Sequence, residues 1–496
     1  MSKHTIPDEI LSMETSLPKA SYDNLPQWKG FNLLNKFNGR NDPFDEKVFE
    51  YISRMGYNFV RLPMDYRMWT RDGDWYKIDE ATIAEIDRAV GYGIRHSIHV
   101  DLNFHRAPGY TVATPPEKTN LLTDSEAQQA FAFQWRMFAR RYKGISSDVL
   151  SFNLVNEPAG VNGKTYANAV TPAVNAIHEE DPDRLIIADG LEYGRIPVPE
   201  LVPLKVAQSF RGYEPFRITH YKAGWVNGAD MFPEPQWPAM YEMNGYLYGN
   251  SKKELQSPLI IKSEDGFPAC EAGIFVNVIS MNAEIVIYAD GREVYNKKIV
   301  CSDGEGEWER AVFRQEWNTY QNIFNREYKV KIPAGTKNLE FAVKEGDWLT
   351  FSEVCIRPEG REPIILKANS AEWGKRSDPL TIRSDGVIVS SGFDGGMAGS
   401  DWLISKYMND WKEFSEQNGI GIMIGEWGVH NQTPHDVTLR LMEDMLKAFR
   451  KLNMGWALWN LDGSFGIINS GRKDVQYVEF EGQKLDKIMS DLLLIY

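Results

Sequence analysis

Val149-Leu-Ser-Phe-Asn-Leu-Val-Asn-Glu-Pro158 is an apolar run that ends in a single carboxylate. Leu150, Phe152, Leu154 and Val155 suit a buried strand, and no charge appears before Glu157. Pro158 cannot continue a central strand, so the chain must leave the sheet there and present Glu157 at the strand's mouth. The C-terminal end of a parallel strand is where an α/β barrel keeps its catalytic groups. Taken alone, the stretch fits equally well a carboxylate that opens a helix, where the dipole favours it. Asn156 and Glu157 are neighbours and would face opposite ways in a flat strand. Both can serve one ligand only if the backbone twists between them.

Working outward, short apolar strands alternate with amphipathic helices. Strands are expected over residues 30–34, 58–63, 97–103, 184–188, 204–209, 420–425 and 455–460, with the opening stretch as the fourth of eight. Pro63 is expected to stop the second. Helices are expected near residues 45–55, 81–90, 125–142, 166–178, 402–416, 436–452 and 485–493, with Asp45 placed to cap the first. Eight such units predict a closed (β/α)8 TIM barrel, with an open doubly wound sheet as the alternative.

Between residues 253 and 358 the helical pattern disappears. Strand-like runs such as Gly273–Ile279, Ala283–Tyr288, Tyr328–Ile332 and Leu339–Val343 replace it, separated by turns that include Asp290-Gly291. This predicts an all-β sandwich inserted in the loop after strand 6, and a catalytic barrel made of residues 1–252 and 359–496. A loop there grows from the catalytic face, so the insert is expected beside the cleft, either binding carbohydrate or forming a cleft wall. Cys270, Cys301 and Cys355 all fall inside it, an odd number that reads as buried free thiols. The glycine-rich stretch 390–399 contains no lysine and follows no clear strand, so it reads as a loop and not a phosphate cradle.

A chain of 496 residues with 43% hydrophobic content folds around sizeable cores, and a net charge of -14 argues against nucleic acid or an anionic membrane as main partner. No run is apolar enough for a membrane span or a signal peptide, so the chain is expected to be cytoplasmic, or secreted and written without its leader. The eight histidines are scattered, with no ligand pair at a strand end. No metal site or cofactor is expected, and metal-dependent hydrolysis is the weaker chemistry. Oligomeric state is not legible.

The seventh strand ends Ile422-Met-Ile-Gly-Glu426-Trp427-Gly428, repeating the design of the fourth. Two glutamates converging over one barrel face suit glycosidic cleavage, one giving a proton to the leaving oxygen and the other ionised to attack or to activate water. With Val60-Arg61-Leu-Pro63, His105-Arg-Ala-Pro-Gly109, Leu154–Pro158, Tyr213-Glu-Pro215 and Trp459-Asn-Leu-Asp-Gly463, the chain resembles glycoside hydrolase family 5, the retaining barrel family of many cellulases and mannanases. The resemblance covers about residues 28–249 and 400–493.

That resemblance implies Glu157 as acid/base and Glu426 as nucleophile. It implies that Asn156 binds the sugar 2-hydroxyl, Arg61 orients Glu426, and Tyr213 donates to the same carboxylate. His105 and Trp459 would contact the sugar before the cleaved bond. Each has a plainer alternative: a rim ion pair for Arg61, a core histidine for His105, packing for Tyr213 and Trp459. Arg211 stands where the family has histidine. It cannot transfer a proton, and would either hold Glu157 as a carboxylate or bind the substrate, an anionic or otherwise unusual one. The expected function is retaining hydrolysis of a β-linked polysaccharide or oligosaccharide, β-1,4-glucan first, with β-mannan or another hemicellulose and a non-catalytic carbohydrate-binding barrel as alternatives.

Overall fold

The computed structural model describes residues 4–232, 234–238, 241–390 and 399–496; the glycine-rich stretch 391–398 lies outside them. Eight parallel strands run in chain order: β1 (Lys29–Asn32), β2 (Phe59–Asp65), β3 (His99–Ala107), β4 (Leu150–Asn153), β5 (Ile186–Asp189), β6 (Ala207–Gly212), β7 (Ile422–Trp427) and β8 (Gly455–Leu458). Each pairs with the next, and β8 returns to β1 with Ala457 opposite Gly30. The ring is closed, which sets aside the open sheet. Helices Glu46–Arg54, Glu80–His96, Ser125–Arg141 and Gly163–Glu180 follow the first four strands. Side chains of Asp45, Asp79, Asp124 and Asn162 accept hydrogen bonds from their first-turn N–H groups.

Three local expectations need correction. β2 runs through Pro63 to Asp65. β1 ends at Asn32, so from Leu62 onward β2 pairs only with β3, and the missing proline N–H costs no ladder bond. β4 ends at Asn153, two residues short of the apolar run's end, leaving Leu154 to Pro158 as the mouth. The crossover from β5 to β6 has no long helix, only Leu191–Gly194 and a 3-10 turn at Pro199–Leu204. Pro197, Pro199 and Pro203 remove the N–H groups that an α-helix would need.

The chain divides into two compact units, residues 1–214, 400–431 and 442–496, and residues 215–399 and 432–441. The second unit carries the β-sheet domain inserted after β6. Its ten described strands lie between Tyr246 and Ser390, starting before and ending beyond the 253–358 stretch. The added strands, such as Tyr246–Tyr248 and Leu380–Ile382, are three or four residues long, too short to show a period of two. Two long antiparallel strands, Cys270–Ala289 and Asn338–Pro358, form the spine, and their pairing shifts register between Ser280 and Ala283. Thr319–Ile332 pairs with the first half of the spine and Arg292–Val300 with the second. Both halves feed one apolar core that includes Ile274, Ile279, Ile285, Ile287, Phe341 and Leu349. The three cysteines are free and buried.

Candidate active site

The fourth strand's mouth does what its two neighbouring polar residues demand. Glu157 has φ +50°, a left-handed conformation rare for a residue with a side chain. Its N–H donates to Asp189 Oδ2 at 3.0 Å and its carbonyl accepts from the Tyr110 hydroxyl at 2.7 Å. These bonds hold the twist that lets Asn156 and Glu157 share one side of the barrel. On the seventh strand the pairing with β6 shifts between Ile424 and Glu426, and such an irregularity re-aims a side chain.

Glu426 is almost fully buried and three donors surround it. Arg61 Nη1 lies 2.6 Å from Oε1, Arg211 Nη2 3.3 Å from Oε1, and the Tyr213 hydroxyl donates to Oε2 at 3.2 Å. Burial, followed by the nearby Glu426 and Glu157 carboxylates, holds the Tyr213 phenol well above its ordinary pKa, so it remains a donor. Arg61 also donates to Asn32 Oδ1 at 3.0 Å, Asn153 Oδ1 at 2.8 Å and Asn156 Oδ1 at 2.9 Å.

Asn156 Oδ1 accepts from Arg211 Nη2 as well, at 2.9 Å. Two cationic donors on the oxygen fix which way the amide points. The buried Nδ2 has no partner in the protein, leaving a donor free for a ligand. Burial of Glu157, then the Glu426 carboxylate, pushes the Glu157 pKa up to about 7, with Arg211 acting in the opposite direction. A carboxyl that keeps its proton near neutrality can act as an acid.

His105 lies inside β3, and its ring stands 4.7 Å from Phe37 and 5.7 Å from Trp459. Burial, then the Arg61 and Arg211 charges, holds it well below its ordinary pKa and therefore neutral. Its Nδ1 has no partner in the protein. Trp459 is half-buried and edge-on to Phe37 at 5.5 Å. All eight residues expected at the site thus belong to the barrel unit, linked by hydrogen bonds or, for His105 and Trp459, by ring contacts.

Arg211 is buried, and its donors are engaged within the barrel. Nε donates to Glu157 Oε1 at 3.0 Å, Nη1 to Ser209 Oγ at 3.1 Å, and Nη2 makes a short contact to Asp189. Asp189 escaped the sequence reading, which ended the fifth strand one residue early. The signal was present. Leu185-Ile-Ile-Ala-Asp189-Gly190 repeats the design of the fourth and seventh strands, an apolar run closed by one carboxylate.

A parallel barrel that gathers two glutamates, two arginines and an oriented asparagine at its strand mouths has the build of a glycoside hydrolase. The family model described as cellulase (glycosyl hydrolase family 5) matches residues 19–231, which carry the first six barrel strands. It is 29% identical to endoglucanase C of Acetivibrio thermocellus over 204 residues, 40% of this chain and 58% of that one. The chain thus spans less than two thirds of the length of such curated relatives. A crystal structure of a glycoside hydrolase superposes with TM-score 0.60 at 28% identity, covering 95% of this chain and 99% of the other. Endoglucanase Cel5A from Thermotoga maritima, at 16% identity and TM-score 0.51 over 94% of this chain and 97% of its own, shares the fold.

Proposed function

We propose that the protein hydrolyses β-linked glucans, β-1,4-glucan or its oligosaccharides, with retention at the anomeric carbon. The observation that carries this reading is that Glu157 and Glu426 contact two nitrogens of one guanidinium, Arg211 Nε at 3.0 Å and Nη2 at 3.3 Å. A shared guanidinium keeps the two carboxyl groups near one another, which supports the close pairing of a retaining enzyme over the ~6.5–9.5 Å gap in which an inverting pair holds its water. Glu426, held by Arg61, attacks the anomeric carbon while Glu157 gives its proton to the leaving oxygen. A covalent glycosyl-enzyme forms. Glu157, now a carboxylate, takes a proton from the water that releases the sugar. Asn156 Nδ2 donates to the 2-hydroxyl, and Trp459 and His105 bind the sugar before the cleaved bond. The likeness to endoglucanase C supports a β-glucan as substrate.

The inserted domain is read as a glycan-holding surface. Trp373 is exposed on it, beside Tyr246, Tyr248 and Trp348. The test of the main reading is release of reducing sugar from a panel that includes β-glucans, β-mannan and xylan. Glu157→Gln and Glu426→Gln should each lose most activity while keeping the fold. Full activity in both variants would sink the assignment, and first release of the inverted anomer, followed by NMR, would sink the retaining mechanism.

A further inference from the structure

We propose that Asp189 is a positioning residue that absorbs the charge of Arg211, so that an arginine can stand beside the proton donor without stripping it of its proton. The inference rests on the reading of Glu157 as acid/base. A permanent cation hydrogen-bonded to a carboxyl lowers its pKa by roughly 1–3 units, which works against an acid. Arg211 is such a cation, in the position where the sequence pattern of the family has histidine, and its Nε is 3.0 Å from Glu157 Oε1.

Counting the charges around Glu157 shows how the conflict is resolved. Two guanidiniums, Arg61 and Arg211, face three carboxyl groups, Glu157, Glu426 and Asp189. Arg61 is matched by Glu426 and Arg211 by Asp189, so Glu157 is the carboxyl left over. The left-over group is the one that keeps a proton. Without Asp189, Arg211 would be matched by Glu157, which would then give up its proton. The other titratable groups nearby do not alter this count. His105 is held neutral, and burial keeps the Tyr110 and Tyr213 phenols protonated. Asp101, in register with Arg61 on β3, accepts from Ser151 Oγ at 2.7 Å and is itself pushed up to about 7 by burial.

The barrel is shaped around this pair. Asp189 is fully buried; Oδ1 accepts from Asn153 Nδ2 at 3.0 Å, and Oδ2 takes both Arg211 and the Glu157 N–H. Two glycines make room for the guanidinium arm. A Cβ at Gly425 would lie 2.8 Å from Arg211 Nη1, and one at Gly194 would lie 2.7 Å from Arg211 Cγ. Asp189 therefore does two jobs through Glu157: it holds the left-handed backbone in place and sets the charge its carboxyl sees.

The test is the pH profile of kcat/KM on a cello-oligosaccharide, read beside a 13C NMR titration of the Glu157 carboxyl. In Asp189→Asn the amide can still accept the Glu157 N–H, but the charge is gone. The basic limb and the Glu157 titration should both move at least about one pH unit towards acid, giving about a tenfold loss of kcat/KM above the limb. Adding Arg211→Gln to that variant removes the cation and should bring both readouts back towards the native protein. A uniform loss of activity with neither readout moved, or a double variant no closer to native than the single, overturns the proposal. Should Asp189→Asn fail to fold, Arg211→Gln alone decides, because the titration must then shift towards alkali or stay, and a shift towards acid overturns it. If the native protein cleaves no glycan, the hydrolase reading has failed, while the NMR titration still decides the role of Asp189.

Discussion

Arg61 on β2 and Glu426 on β7 meet across the barrel mouth with Nη1 and Oε1 2.6 Å apart, both side chains almost completely shielded from water. The two strands are not neighbours; β1 and β8 stand between them. The pair is therefore a tertiary clamp, formed only when the barrel closes. Asn32, Asn153 and Asn156 take three of the other four donors of the arginine, which holds it in one geometry.

Removing the cation should be costly in two ways. Arg61→Ala leaves a buried carboxylate unmatched, and breaking such a pair costs about 3–5 kcal/mol of folding stability. Urea titration should show that loss. Arg61→Lys restores the charge but not the planar fork, so stability should recover more than turnover does. Equal recovery of both would mean that the fork has no part in orienting the nucleophile.

Glu157 gives a pH dependence whose sign can be worked out. Its folded pKa, pushed up to about 7 by burial and then by Glu426, lies above the ordinary glutamate value of 4.5. Below pH 4.5 the folded and unfolded chains both hold the proton, and the group contributes nothing. Between 4.5 and about 7 the unfolded chain ionises first, so stability falls as pH rises, and above 7 the penalty is constant. Glu157→Gln should therefore melt higher than the native protein at pH 8, by on the order of 1–3 kcal/mol. At pH 4 the two should coincide. Activity runs with the same proton, so kcat/KM of the native enzyme should fall above about pH 7. A native basic limb well above that range would assign the limb to another group.

Much of the barrel was legible because its strands are short, apolar and closed by a single polar residue, and because a helix cap such as Asp45 stands where the pattern asks for it. The two glutamates were legible for the same reason. Asp189 was not, because the strand boundary was set one residue early, and a carboxylate before a glycine reads as a turn. What Arg211 does was also hidden. Its effect depends on Asp189, 22 residues away in sequence and brought against it only by the pairing of β5 with β6. The outer reach of the inserted sheet was missed because three-residue strands hold their place through partners and carry no period of their own.

Asn156 offers a test of transition-state contact. Its oxygen is held by two guanidiniums and its Nδ2 has no partner in the protein. Asn156→Ala should lower kcat more than it raises KM, because a bond to the sugar 2-hydroxyl tightens as the oxocarbenium-like state forms. The loss should be about a hundredfold on a normal glucoside. On a 2-deoxy analogue, which lacks the hydroxyl, the variant should lose little. An equal loss on both substrates would place the contact of Asn156 elsewhere.

Trp373 provides the test of the inserted domain. The indole is 55% exposed, an unfavourable state for so large an apolar ring, yet its loop is pinned. Gly374 N–H donates to the Tyr248 hydroxyl at 2.8 Å, Asn244 Nδ2 to the Lys375 carbonyl at 2.7 Å, and Glu372 N–H to Asn244 Oδ1 at 2.8 Å. Tyr246, Tyr248 and Trp348 stand edge-on to it at 5.3–5.8 Å between ring centres. A rigid ring held in water suits the flat CH face of a β-linked pyranose, which gains from stacking while its hydroxyls stay hydrated. Trp373→Ala removes a face worth about 1 kcal/mol, so the protein should bind a long β-glucan about fivefold more weakly in affinity electrophoresis. The same change should weaken binding of long chains more than of cellobiose, since a longer chain offers the ring more pyranose faces to stack on. Unchanged migration of the variant through the glucan gel would remove the insert from glycan binding and leave the barrel's chemistry standing.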